Sequence, residues 1–153
     1  MTPKSLYRVL ATAEMVTWAL LLGGMFLKYV VGAGELGVRV GGGIHGLTFL
    51  TYCVVTVLAW VNQRWDAKTG VLGLASSVIP FATLPFDRYV DAASKLEGDW
   101  RYRSPAEEPP TLPDWVLSLY VRRPLPMAVV TLVGVGVVFG LLLSAGPPTE
   151  WFA

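Results

Sequence analysis

Residues 6–31 read LYRVLATAEMVTWALLLGGMFLKYVV, an apolar run whose only charges are Arg8, Glu14 and Lys28. About 18 or more residues of this kind carry a helix across the ~30 Å hydrocarbon core of a bilayer. A helix is required because a spanning segment finds no water in the core and must satisfy its own backbone hydrogen bonds. At ~1.5 Å per residue the run is longer than the core, so its ends project or the helix tilts. Lys4 and Arg8 ahead of an apolar run also suggest a secretory signal. The run is too long for a signal's apolar region, carries Glu14 and leads into further apolar sequence, so it is read as a retained first transmembrane helix.

Working outward, a second apolar run covers residues 43–61 and ends in Trp60, Asn62, Arg64 and Trp65, the mix of indole and cation with which a helix meets lipid headgroups. Gly32, Gly34 and Gly37 make a short flexible loop between the two runs. A third run covers residues 70–89 and contains Pro80 and Pro85, each of which removes a backbone donor and kinks or locally unwinds a helix. The last run, residues 126–146, has no charged residue. The expected fold is therefore all-α, a polytopic transmembrane bundle of four spans with a partly ordered polar loop between the third and fourth.

Composition agrees. Only 15% of the 153 residues are charged, against about 25% in soluble domains, and mean hydropathy is +0.54. The short alternating segments of a β-barrel are missing. A net charge of +1 gives no electrostatic case for nucleic acid. Cys53, the single cysteine, excludes an internal disulfide and a thiolate metal cage, and reads as a small core filler.

The chain divides into a three-helix membrane domain (1–90), a polar proline-rich loop (91–125), a fourth helix (126–146) and a tail (147–153). Pro105, Pro109, Pro110 and Pro113 keep the loop from packing as one helix. Within it, residues 114–123 read as a short interfacial helix, with Thr111 and Asp114 spaced as a capping box. Trp115, Val116, Leu119 and Tyr120 would share one face, and together with Arg122 and Arg123 this helix is a candidate docking surface. For four spans, Lys28, Arg39, Arg88, Lys95, Arg101, Arg103, Arg122 and Arg123 fall on one side, and Lys4, Arg8, Arg64 and Lys68 on the other. The positive-inside rule then places the long loop in the cytoplasm of a bacterial inner membrane and both termini outside.

Ionisable groups within spans are expensive, so each needs a reason. If the first hairpin turns near residue 36 and the second near residue 66 or 67, Lys28, His45, Asp87 and Arg88 meet at one membrane face. Glu14 then lies nearer the other face, level with Ser76 and Ser77. One reading is a proton or ion relay, or a headgroup site, with His45 titrating near neutral pH. The other is structural: charges that pin helix ends by snorkelling, and a Glu14 hydrogen-bonded to a serine or tyrosine on a neighbouring helix. Small residues four apart, at Gly42 and Gly46, Gly73 and Ser77, and Gly136 and Gly140, allow helices to approach closely. A single histidine cannot supply bis-histidine haem ligation. The sequence also lacks a phosphate-binding loop, a nucleophile elbow and a transporter-type repeat. No cofactor or metal is expected, and an enzyme is the least favoured class.

Arg8-Val-Leu-Ala-Thr-Ala-Glu14, Leu27-Lys28-Tyr29, Ile44-His45-Gly46 with Tyr52, and Pro80-Phe81-Ala-Thr with Asp87 follow one another in order. As an ordered set over residues 5–90 they resemble the YdzA-like family of small bacterial integral membrane proteins of unknown function. Met15 and Ala82 depart from its usual pattern. The resemblance implies a three-helix unit with no established activity, here extended by the loop and fourth helix. It also resembles actinobacterial versions in which small accessory proteins decorate large inner-membrane assemblies such as respiratory supercomplexes. The expectation is a non-catalytic accessory subunit of a larger membrane complex, specifically a respiratory oxidase assembly, with membrane lipids and other integral membrane subunits as partners. Two rivals stay open. One is an oligomeric transporter or channel using Glu14 and His45. The other is a lipid-binding or assembly factor using Lys28, Arg39, Arg122 and Arg123.

Overall fold

A computed structural model describes residues 1–145. Their helices come in the order α1 (Pro3–Phe26), α2 (Leu36–Gln63), α3 (Ala67–Val78), α4 (Thr83–Ala92), α5 (Leu112–Arg122) and α6 (Pro124–Ser144), with 93–111 irregular. The expected tail, 147–153, lies outside the described residues. Among the described residues three segments are long and apolar enough to cross a membrane: α1 with its π-helical continuation Leu27–Val31, α2, and α6.

The α1–α2 hairpin is tighter than the sequence suggested. Helix α2 begins at Leu36 rather than residue 43, and the connection is only 32–35, with Gly32 and Gly34 at φ +74° and +85° where a side chain would be strained. Gly37 is helical, not loop. It packs backbone to backbone on Gly24, whose Cβ, if present, would lie 2.5 Å from the Gly37 carbonyl carbon. One turn on, a Cβ on Gly41 would meet the Leu20 carbonyl oxygen at 2.8 Å. In lipid, where apolar burial gives helices no drive to associate, such approaches supply the packing that holds a pair together.

The third expected span is not a span. At ~1.5 Å per residue, α3 and α4 are each about half the length the hydrocarbon core requires. They also double back. Helix α3 leaves the end of the molecule that holds Met1 and Arg64, here called the near end. It reaches the level of Trp18, whose Nε1 donates to Ser77 O at 3.2 Å. Helix α4 then returns: Thr83 Oγ1 donates to Ala11 O at 2.9 Å, Asp87 pairs with Arg8 at 3.1 Å, and Asp91 pairs with Lys4 at 2.5 Å. The hairpin closes at its base, where Lys95 Nζ lies 3.0 Å from Asp66 Oδ2 and Trp65 Nε1 donates to Lys95 O at 2.7 Å.

Pro80 causes the reversal. It has no N–H and disfavours helix at the preceding residue, and Ile79 is accordingly extended. A break at membrane depth frees backbone groups that other protein atoms must satisfy. Trp18 takes the Ser77 carbonyl, and Ala82 N bonds back to Ile79 O at 3.1 Å. Pro85, by contrast, sits in the first turn of α4, where a missing donor costs nothing.

The N-terminus and the 93–123 segment therefore share the near end, and Trp100 Nε1 donates to Met1 O at 3.0 Å. This corrects the charge-count topology, which had separated them. Helix α6 then runs from the near end towards the far end, packing Phe139 on Gly46 partway along α2.

Candidate functional site

The sequence grouped Lys28, His45, Asp87 and Arg88. The structure separates them. Because the first hairpin turns nearer Val31 than residue 36, His45 comes level with Glu14 and Thr17 instead of Lys28. Its Nδ1 lies 3.6 Å from Glu14 Oε2 and 3.2 Å from Thr17 Oγ1. Thr17 Oγ1 is also 3.0 Å from Glu14 O and 3.4 Å from Glu14 Oε2, so one hydroxyl touches both ionisable groups. When that hydroxyl donates to Glu14 O, its lone pair accepts from His45 Nδ1–H. The Trp18 ring covers the imidazole at 4.3 Å between centroids. Glu14 is wholly buried and its Oε1 has no hydrogen-bond partner.

This pair sits one turn of α1 beyond Ala11, beside the point where the re-entrant hairpin reverses. Trp18, one turn beyond Glu14 on α1, reaches the Ser77 carbonyl. Chemically the arrangement holds a carboxyl and an imidazole side by side away from water, with the Thr17 hydroxyl in reach of both. Among the described residues no three or more His, Cys, Asp or Glu side chains are grouped as a metal site would need.

Asp87 belongs to a second cluster, at the near end. It is buried against Arg8 Nε at 3.1 Å, and Arg8 Nη2 reaches Asp91 Oδ2 at 2.5 Å. Lys28 instead pairs with Glu35 at 2.8 Å beside the first loop, and Arg88 is exposed and forms no ion pair among the described residues. Between the clusters runs a hydroxyl ladder: Tyr7 OH to Tyr52 OH at 2.6 Å and Tyr52 OH to Ser76 Oγ at 3.0 Å. Sequence reading missed Tyr7, Thr17 and Trp18. The spacing of Tyr7, Ala11, Glu14 and Thr17 on one face of α1 would have exposed the first two, since these are among the helix's buried residues; nothing in the spacing marks Trp18.

The 93–123 segment is fastened by arginines. Arg101 Nη2 donates to Val61 O, Arg101 Nε donates to Asn62 O at 2.8 Å, and the same guanidinium meets Asp114 at 2.9 Å. It thereby caps the carbonyl end of α2, where a cation also complements the helix dipole. Arg122 donates to the carbonyls of Tyr102, Ser104 and Glu107. Thr111 caps α5, its Oγ1 accepting from Asp114 N at 3.3 Å, but the Asp114 carboxylate takes the Thr111 hydroxyl at 2.7 Å and not the Thr111 N–H, so half of the expected capping box forms; Thr111 above all holds the Asp114 carboxyl below its usual range. Helix α5 buries Asp114, Leu117 and Ser118, leaves Trp115 and Val116 exposed, and half-buries Leu119 and Tyr120.

The small-residue positions divide as well. Gly46 receives Phe139 of α6, Gly73 lies against Thr56 and Phe86, and Ser77 takes part in the hairpin. Gly42 meets only the tip of Leu21, while Gly136 and Gly140 face open space. Helix α6 is exposed along nearly its whole length, with Val135 its only buried residue.

The family described as Domain of unknown function (DUF3817) matches residues 4–92. SCO5905 of Streptomyces coelicolor, named as a membrane protein, is 39% identical over 88 residues, which is 57% of this chain and 10% of SCO5905. The uncharacterized membrane protein YdzA of Bacillus subtilis is 31% identical over 88 residues, again 57% of this chain and 91% of YdzA. This chain thus spans about a tenth of the first relative and nearly all of the second. No solved structure matches it significantly. Glu14, Thr17, His45, Tyr52 and Asp87 all fall inside the matched residues, and α5 and α6 lie beyond them.

Proposed function

The chain belongs to the DUF3817 family, and from that premise we propose that it is a non-catalytic accessory subunit stabilising a larger bacterial inner-membrane assembly, docked through α6. One observation carries this reading. Val130, Val133, Val137 and Leu141 form an exposed outward stripe on α6, flanked by Gly136 and Gly140 with nothing against them. A glycine flank of this kind lets a second helix approach closely. The much greater length of SCO5905 supports the reading, because there the same unit is covalently part of a far longer polypeptide. Membrane lipids surround the remaining faces.

The near end faces the cytoplasm in this proposal. Of the 12 Lys and Arg, all but Lys28 and Arg39 lie there, a stronger asymmetry for the positive-inside rule than four spans would give. The test is mild-detergent extraction, native gel separation and mass spectrometry of the band, with a respiratory oxidase assembly as the first host sought. A stoichiometric partner lost in Gly136→Leu and Gly140→Leu upholds the reading. Migration only as a free monomer or homo-oligomer removes it.

A second reading is favoured by the unpartnered Glu14 Oε1 beside His45 at a helix break, because broken helices at mid-membrane are where transporters place ion sites. Here several copies would carry protons or cations through Glu14 and His45. Liposome flux unchanged in Glu14→Gln and His45→Ala contradicts it.

A further inference from the structure

Between α1, α2 and α6, at the near end, lies a cleft of about 590 Å³, within the ~300–1,000 Å³ range of small-molecule sites. Its walls are apolar, with Leu6 and Leu10 on α1, Val54 and Leu58 on α2, and Ala128 and Leu132 on α6. The three hydroxyls in the wall, of Thr51, Tyr120 and Thr131, are already spoken for. Thr51 donates to Leu47 O and Thr131 donates to Met127 O, both at 2.8 Å, and Tyr120 OH also lies 2.8 Å from Thr131. Nothing in the depth of the cleft calls for a polar ligand. The mouth is different: it is framed by Trp100 and Arg103, an indole and a cation at the level where headgroups lie.

We propose that this cleft holds one acyl chain of an anionic phospholipid from the near-end leaflet, with its phosphate at Arg103. The surrounding solvent is lipid, so a cleft this large beside α6 fills with hydrocarbon and not with water. Charge complementarity selects the headgroup. Arg103 has Asp99 as its ion-pair partner at 3.6 Å and remains more than half exposed. Arg123, next to Pro124 in the cleft wall, is exposed and forms no ion pair among the described residues. The site lies on the inward side of α6, so it is separate from the glycine flank.

Native mass spectrometry of the detergent-purified chain, titrated with phosphatidylglycerol or phosphatidylcholine, tests this. Ala128→Trp fills the cleft from an exposed position, so the fold is retained, and should weaken phosphatidylglycerol binding about tenfold or more. Arg103→Gln should weaken phosphatidylglycerol about fivefold and phosphatidylcholine, whose ammonium already offsets its phosphate, by less than about twofold, the loss of one headgroup cation. Binding untouched by Ala128→Trp overturns the site. Equal binding of the two lipids, with no effect of Arg103→Gln, overturns the anionic headgroup. A photocrosslinker at Ala128 that joins two copies of the chain instead of lipid overturns the occupant. Loss of partner in Gly136→Leu with lipid binding intact separates this site from the docking proposal.

Discussion

Residues 3–92 and residues 93–145 solve the same problem in opposite ways. The family domain turns polar groups inward, where Glu14 meets His45, Tyr7 meets Tyr52 and Asp87 meets Arg8. The extension clips its polar segment to the end of α2 through Arg101, then sends α6 across with its apolar side chains facing out. Buried polar pairs in lipid fix register and position, because a mispaired polar group there is costly. An apolar helix with an uncovered glycine flank specifies little by itself. The domain is built to be one shape, and in the proposed function the extension is what meets a partner.

The sharpest way to break this contrast is to put bulk on glycines in each region. Gly24→Leu should cost ~3 kcal/mol or more, read as a lower unfolding midpoint in mixed detergent, because backbone must move. Gly136→Leu should change that midpoint by less than ~0.5 kcal/mol while abolishing partner association. Equal effects would erase the distinction. Next, Arg101→Ala removes bonds to Val61 O, Asn62 O and Asp114 and should cost ~2 kcal/mol. Its signature is faster proteolysis within 93–111 while residues 3–92 stay resistant; cleavage at unchanged rate would show the clip to be idle. Tyr7→Phe, which breaks the hydroxyl ladder while Tyr52 keeps Ser76, should cost ~1 kcal/mol in the same unfolding assay.

The smallest effect concerns Asp66, which caps α3. Hydrogen bonds from Thr69 and Lys95 hold its carboxyl well below the usual carboxylate range. A depressed folded-state pKa stabilises the hairpin above the ordinary value of ~3.9 and loses that stabilisation as pH falls through the folded value. Unfolding midpoints should decline below about pH 4, and the decline should be shallower in Asp66→Asn. Identical slopes would remove Asp66 from the account.

Much of this was legible beforehand. The apolar runs of α1, α2 and α6 are long enough to read by composition, and Thr111 with Asp114 announced the start of α5. The hairpin of α3 and α4 was not legible as such. An apolar stretch with two prolines satisfies the composition of a kinked span and of a reversal equally, and only the partners of Thr83 and Asp87 decide between them. The Glu14–His45 pair was missed for a related reason. Reading Gly37 as loop moved the turn toward the C-terminus and set His45 opposite Lys28, whereas the contact of Gly24 with Gly37 depends on two backbones fitting and leaves no mark in hydropathy.

The reversal at Pro80 is the claim on which the rest stands. In a Cys53→Ser background, single cysteines at Ser5, Glu35 and Ser104 can be labelled with a membrane-impermeant maleimide in right-side-out and inverted vesicles. Ser5→Cys and Ser104→Cys should react from the same side and Glu35→Cys from the other. Labelling of Ser104→Cys together with Glu35→Cys would mean that residues 67–92 cross the membrane, and the architecture described above would be contradicted.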